Sequence, residues 1–232
     1  VYTSLLHNGN LYIGTNQGLF YKNVLSDASF QFINGTKGQV WSIFAHNDTL
    51  FCGHDSGTFV VNTNVAKLIF SNSGTWKFET VPNQPNILLQ GNYIGLTILK
   101  KVNNQWVFSH KIKGFDYSSK HFELTKSQEV YISHEYKGVF RLQLNPSFTK
   151  ATSFYTYPSP SKGKNSCLIQ YNSNIYYAYK EGVFKLNPKN KQFEKDSILS
   201  AVFEKDEYTS GKLIVDPSNK LWLFTKNYIH YF

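Results

Sequence analysis

The 232-residue chain is 41% hydrophobic and 17% aromatic, with 15 Gly, 7 Pro, 2 Cys and no Met. That length buries a sizeable core without a metal or disulfide, and at 17% charged residues the composition is not that of a disordered chain. No apolar run approaches the ~18 residues of a membrane span, and residues 1–20 lack the basic-then-apolar order of a secretory signal. A start at Val1 with no Met reads as a processed or excised piece. The net charge is +9, yet Arg141 is the only arginine and the lysines are scattered. That pattern reads as a solvated coat protecting β edges, and no nucleic acid partner is expected.

One pattern recurs along the chain: an apolar strand A, a polar turn, an apolar strand B, a few polar residues, then Gly and an apolar strand C. The first copy runs Ser4-Leu5-Leu6, His7 to Asn10, Leu11-Tyr12-Ile13-Gly14-Thr15 and Gly18-Leu19-Phe20. The second is Val40-Trp41-Ser42-Ile43-Phe44, His46-Asn47-Asp48, Leu50-Phe51-Cys52-Gly53-His54 and Gly57-Thr58-Phe59. Copy three has Phe78 to Val81, the turn Pro82 to Pro85, Ile87 to Gly91 and Gly95-Leu96-Thr97. Copy four has His121 to Leu124, Val130 to His134 and Gly138-Val139-Phe140; copy five has Cys167 to Tyr171, Ile175 to Tyr179 and Gly182-Val183-Phe184. The sixth has Leu213-Ile214-Val215 and Leu221-Trp222-Leu223-Phe224-Thr225, with Asn227 where the others carry Gly.

Equivalent positions 18, 57, 95, 138, 182 and 227 are spaced by 39, 38, 43, 44 and 45 residues. That is the period of four-stranded propeller blades, and the short β-branched and aromatic runs exclude helical repeats. Gly suits a sharp turn at φ > 0 before strand C, and Asn is the next most tolerant residue. Outer strands are expected at Phe30–Ile33, Lys67–Phe70, Trp106–Ser109, Ser153–Thr156 and Lys191–Glu194. The expectation is an all-β, β-propeller fold of four-stranded antiparallel blades with about six repeat units. As one domain over 1–232, it divides into 1–39, 40–75, 76–118, 119–164, 165–206 and 207–232. No outer strand remains for the last unit, which predicts a portion of a larger array, seven-bladed or tandem.

The runs Val40-Trp41-Ser42-Ile43 … Leu50-Phe51-Cys52-Gly53-His54 … Gly57-Thr58-Phe59 and Leu11-Tyr12-Ile13-Gly14-Thr15-Asn16-Gln17-Gly18-Leu19-Phe20 resemble the two-component-regulator propeller repeat. The likeness covers nearly the whole chain and is sharpest in the first two units. It implies the periplasmic or cell-surface sensor region of a Bacteroidetes-type membrane regulator. Such regions combine tandem propellers, a small β-sandwich, a membrane helix and a signalling output, in many members a histidine kinase. The implied partners are an oligosaccharide and neighbouring propeller or sandwich domains of the same polypeptide. Contact with a membrane would come only through flanking segments, and a homodimer stays open.

No GxSxG, HExxH, P-loop or GxGxxG occurs, and no carboxylate pair occupies matching positions of facing strands. No catalytic residue, metal or cofactor is expected. Cys52 and Cys167 read as buried small hydrophobes, with a long-range disulfide as the alternative. His54 and His134 share one repeat position, the end of strand B, and are followed by Asp55 and Glu135. The ligand candidates are these four with Tyr93, Tyr136 and Glu181 of the B–C loops and Trp41, Trp76 and Tyr117 of the segments leading into strand A. Aromatic faces beside amides and carboxylates suit a sugar, whose C–H face stacks on a ring while its hydroxyls meet polar groups. Trp41 is read first as packing between units and only second as a ligand contact. The leading expectation is a non-catalytic sensor propeller binding an oligosaccharide or similar polar ligand. A glycan lyase or hydrolase using the two histidines, and a protein-docking scaffold, are the alternatives.

Overall fold

In the computed structural model, residues 1–203, 208–210 and 212–232 are described. The chain forms two compact units, residues 1–112 with 116–120, and residues 113–115 with 121–232.

The first unit holds three four-stranded antiparallel sheets, each ordered as the chain runs. Sheet one is β1 (Thr3–His7), β2 (Asn10–Gly14), β3 (Leu19–Asn23) and β4 (Gln31–Phe32). Sheet two is β5 (Val40–His46), β6 (Thr49–His54), β7 (Gly57–Asn62) and β8 (Val65–Ser71). Sheet three is β9 (Thr75–Val81), β10 (Gln84–Asn92), β11 (Gly95–Val102) and β12 (Gln105–Lys111).

The second unit begins with β13 (His121–Leu124), β14 (Glu129–His134), β15 (Gly138–Leu144) and β16 (Ala151–Thr156). Sheet five is β17 (Cys167–Tyr171), β18 (Asn174–Tyr179), β19 (Gly182–Leu186) and β20 (Phe193–Lys195). A single helical turn, α1 (Ser197–Ser200), follows; the Asp196 carboxylate accepts from the Ile198 and Leu199 amides and so caps it. The last sheet is β21 (Leu213–Val215), β22 (Leu221–Phe224) and β23 (Ile229–Tyr231), and has three strands among the described residues. Each expected outer strand is present in the first five copies, and the sixth sheet shows none among the described residues. The turn expected to extend to Pro85 is shorter, because β10 already begins at Gln84.

Strand B reads as a continuous apolar run because both its faces are buried. Leu50 and Cys52 of β6 join Tyr12, Leu19 and Val40 in one cluster, whereas Phe51, between them, points the other way onto Phe78, Leu88 and Trp106. β18 repeats this: Ile175, Tyr177 and Tyr179 pack with Tyr131 and Leu168, while Tyr176 and Ala178 pack with Leu213 and Leu221. Period-two alternation between two buried faces is the signature of a sheet sandwiched by neighbours. Full burial of each such aliphatic or aromatic side chain contributes about 1.5–3 kcal/mol. Both cysteines are buried free thiols, and burial pushes the Cys52 thiol up.

Two glycine roles explain the repeat. At the hinge before strand C, Gly57 has φ 140°, and a Cβ there would lie 2.0 Å from the Phe70 carbonyl oxygen. Gly18, Gly95, Gly138 and Gly182 also have positive φ, as the sequence predicts; Asn227 is not among the left-handed residues described, and Asn219 (φ 60°) in the β21–β22 turn is. The second role lies near the end of strand B. A Cβ on Gly53 would meet the Thr75 carbonyl oxygen at 2.5 Å, and one on Gly14 the Val40 side chain at 2.6 Å. A small residue here lets the first strand of the next sheet approach backbone to backbone.

Candidate functional site

Of the ten sequence-nominated residues, Trp41, His54, Asp55, Trp76, Tyr93 and Tyr117 belong to the first unit and His134, Glu135, Tyr136 and Glu181 to the second.

In the first unit, β-bulges set the geometry. The β5–β6 register passes from Val40↔His54 to Ser42↔Gly53, leaving Trp41 as the extra residue. The β9–β10 register passes from Lys77↔Gly91 to Thr75↔Asn92, leaving Trp76 as the extra residue. A bulge turns its unpaired side chain out of the regular alternation. Here two bulges at equivalent places turn two indoles onto each other, with centroids 3.8 Å apart and planes 12° from parallel. Tyr93, in the β10–β11 turn, meets both edge-on at 5.6 and 5.1 Å. These are favoured aromatic geometries, worth about 0.5–1.5 kcal/mol per pair beyond area burial. Gly74 lies beneath them at φ 66°; a Cβ there would stand 2.5 Å from the Tyr93 ring and 2.6 Å from Trp41.

Polar groups border this cluster. The Trp41 indole N–H donates to Gln39 Oε1 at 3.1 Å. The Trp76 indole nitrogen is buried with no hydrogen-bond partner among the described residues. Lys120 Nζ lies 5.4 Å from the Trp76 centroid, a cation–π arrangement. The Ser119 amide donates to the Asn92 carbonyl, which holds the 116–120 segment, including half-exposed Tyr117, against the end of β10. The Gly74 amide donates to the Asp55 carbonyl oxygen at 2.8 Å. Burial, and then the Asp55 charge, raises the Tyr93 phenol above its ordinary pKa. Tyr93 remains 45% exposed.

Underneath runs a fully buried polar row joining sheets two and three. The Thr58 and Thr75 hydroxyls are 2.9 Å apart, and Thr58 reaches Gln90 Oε1 at 3.0 Å. Thr75 donates to Asn92 Oδ1 at 3.1 Å, and Asn92 Nδ2 to Thr97 Oγ1 at 2.6 Å.

The two histidines are structural caps. The Ser56 amide donates to His54 Nδ1 at 3.1 Å and the Tyr136 amide to His134 Nδ1 at 3.2 Å. Thr15 does the same for the Gln17 amide, and Thr225 for that of Tyr228. The end of strand B thus supplies an acceptor that closes the following turn, like the side-chain caps of Asx and ST turns. His54 is only 2% exposed, and its Nε2 lies 3.3 Å from the Thr36 carbonyl oxygen. Asp55 Oδ1 stands 2.6 Å from Nδ1, with its side chain 43% exposed. Asp55, not His54, faces outward.

In the second unit, His134 is depressed below the usual histidine pKa, first by burial and then by Lys137. Tyr136 is 65% exposed, with its ring 6.2 Å from that of His134. Glu181 accepts from the Tyr179 hydroxyl at 2.7 Å, and the Tyr177 hydroxyl donates to the Ser161 carbonyl oxygen at 3.2 Å. Among the described residues no three His, Cys, Asp or Glu side chains converge as a metal site, and no helix is long and apolar enough to cross a membrane. Sequence reasoning missed Gly74, Lys120 and the Thr58–Thr75–Gln90–Asn92 row; the recurrence of Trp one residue into strand A was the visible trace of the bulges.

No family model and no curated protein matches the chain. Solved structures do. Two structures of the extracellular domain of BT4673 from B. thetaiotaomicron, described as a one-component or a hybrid two-component system, align over 99 and 100% of this chain. Their TM-scores are 0.67 and 0.69, at 17% identity. The WD40 β-propeller domain of Doa1 aligns over 98% of the chain and 76% of its own length, at 10% identity and TM-score 0.65. The fold is that of a β-propeller. An auxiliary nutrient-binding protein of Bacteroides thetaiotaomicron shares it, at TM-score 0.60 and 10% identity over 99% of this chain and 68% of its own. The chain spans about a third, 32 and 31%, of the two BT4673 structures.

Proposed function

We propose that this chain is a non-catalytic signal-input propeller of a periplasmic or cell-surface regulator, and that the Trp41–Trp76–Tyr93 cluster receives an oligosaccharide or similar polar ring ligand. The observation carrying the reading is the pair of bulges that aim two tryptophans at one place beside Tyr93. The indoles stack on each other, so each spends one face internally; a ligand meets the outer face of Trp41 and the exposed ring of Tyr93. Asp55 acts electrostatically on Tyr93 and Lys120 lies over Trp76, and the buried, partnerless Trp76 N–H is a donor that a water would satisfy. The likeness to the extracellular domain of a two-component system and to a nutrient-binding protein supports the same direction. Signalling follows if the ligand binds one arrangement of neighbouring domains better than another.

Isothermal titration against an oligosaccharide panel tests the proposal. A binding sugar gives heat, and Tyr93→Ala weakens it about tenfold or more, corresponding to ~1.4 kcal/mol. Silence across the panel removes the sugar ligand, and unchanged affinity in Tyr93→Ala moves the site elsewhere.

A further inference from the structure

A second groove opens in the first unit, at the end of the strands remote from the Trp41–Trp76 stack. β8 and β12, the outer strands of sheets two and three, are bridged by Phe70 and Phe108, whose rings stack with centroids 4.0 Å apart and planes 2° from parallel. A bulge makes this contact possible. The β7–β8 register passes from Thr58↔Phe70 to Phe59↔Leu68, leaving Ile69 as the extra residue. Ile69 and Phe70 are consecutive, yet both turn toward sheet three, Ile69 onto the cluster of Phe78, Leu88 and Trp106 and Phe70 onto Phe108. Between this bridge and the turns at 62–65 and 102–105, the two sheets leave a cavity of about 550 Å³, within the range of ligand sites.

The lining divides into a floor and a rim. Val60, Ile69 and Trp106 form an apolar floor, and the carboxamides of Asn62, Asn64, Asn104 and Gln105 stand round it. Lys67 also lines the groove, and no carboxylate does. Lys101 lies directly opposite Trp106 in the β11–β12 ladder and so shares its face, adding a second positive charge. Thr63, on the rim, is a β-branched residue at φ 53°, where the equivalent turn of sheet three uses Asn103 and Asn104. Such a conformation is an outlier for a β-branched residue, of the kind that collects at ligand clamps. Carboxamides suit a sugar or a peptide, and Trp106 decides between them. A sugar stacks on an open ring face, as 45%-exposed Tyr93 offers. Trp106 is only 5% exposed, and its ring meets Phe51 and His46 edge-on at 5.3 and 5.7 Å. The floor is therefore an apolar slot and not a platform.

We infer that this groove receives an extended acidic peptide segment. An aliphatic side chain enters the slot between Val60, Ile69 and Trp106, and a carboxylate of the peptide meets Lys67. The rim carboxamides, each with a donor and an acceptor in one plane, pair with the peptide groups between. Main-chain bonds supply affinity and the slotted side chain supplies specificity, as in other extended-peptide complexes.

The test is NMR titration of the 15N-labelled chain, whose four tryptophans give separate indole signals. The probe is a mixture of acetylated hexapeptides alternating Asp or Glu with Val, Ile or Leu; the control mixture carries Lys in place of the acids. The expected result is that the acidic mixture shifts the Trp106 indole and the amides of 62–67, leaves the Trp41 and Trp76 indoles in place, and weakens as salt is raised. Lys67 is exposed on β8, so its replacement leaves the core intact. Lys67→Glu should lower the apparent affinity at least fivefold, and Lys67→Arg should keep it. Silence with the acidic mixture, an equal response to the basic one, or an unchanged affinity in Lys67→Glu overturns the proposal. Shifts centred on Trp41 and Trp76 overturn it by moving the peptide to the aromatic cluster. A Trp106 response to the oligosaccharide panel in place of the peptides overturns it in favour of a sugar.

Discussion

Replacing Gly74 by Ala tests whether the aromatic cluster is held from below by the absence of a side chain. Gly74 has φ 66°, and its added Cβ would lie 2.5 Å from the Tyr93 ring and 2.6 Å from Trp41. Gly9 provides the control: its φ is 73°, and nothing lies within 4 Å of its hypothetical Cβ. Both substitutions place Ala in the left-handed region, at about 1–2 kcal/mol. Gly74→Ala must in addition displace Tyr93, losing its two edge-on contacts at about 0.5–1.5 kcal/mol each. The expected destabilisation is therefore ~2–5 kcal/mol for Gly74→Ala and ~1–2 kcal/mol for Gly9→Ala. Urea unfolding reads the difference, and near-UV circular dichroism reads the coupling of the stacked indoles, which should fall only in Gly74→Ala. Equal midpoints with unchanged near-UV signals in both variants would refute the argument, because the cluster would then tolerate what the geometry forbids.

Thr75→Val should cost ~1–3 kcal/mol, since it keeps the shape but strands the buried Asn92 Oδ1; a unfolding midpoint matching the parent counts against the polar row as a stabilising element. Burial pushes the fully enclosed Tyr177 phenol up to about 12. Its folded pKa exceeds the unfolded value near 10, so stability present below that pH is lost as pH rises from ~10 to ~12, by about 2–3 kcal/mol. Tyr177→Phe should flatten this alkaline decline, and an unaltered slope in urea melts between pH 9.5 and 12 assigns it elsewhere. His134 is depressed, so its unfolded form binds the proton first, and stability falls as pH drops through about 6.5. His134→Asn, which keeps an acceptor for the Tyr136 amide, should remove that acid dependence; persistence of the full dependence rejects the assignment.

The repeat was legible because its constraints are local. A hinge at positive φ admits few residues, so Gly18, Gly57, Gly95, Gly138 and Gly182 mark five strand C starts directly. Outer strands were placed to within about two residues, as at Lys67–Phe70 against Val65–Ser71. Edge strands have one unpaired side and are bounded more by solvent than by sequence. The site was half legible. Trp41, Trp76, Tyr93 and Asp55 could be nominated by type, but their meeting depends on register shifts between strands, which no single segment encodes. The role of the histidines was hidden for a related reason. An imidazole at the end of a strand can coordinate, titrate or cap, and the amides of Ser56 and Tyr136 that select capping lie two residues downstream on a backbone path that only the folded turn creates.

The side-chain cap at the end of strand B has an evolutionary corollary. Thr15, His54, His134 and Thr225 each hold the shape of the bend that follows them, so conformation there does not depend on the tip residues themselves. Asn16, Asp55 and Glu135 are accordingly at liberty to drift in charge and size while the scaffold stays put. One architecture can thereby carry tips of different chemistry without any change to the strands beneath them.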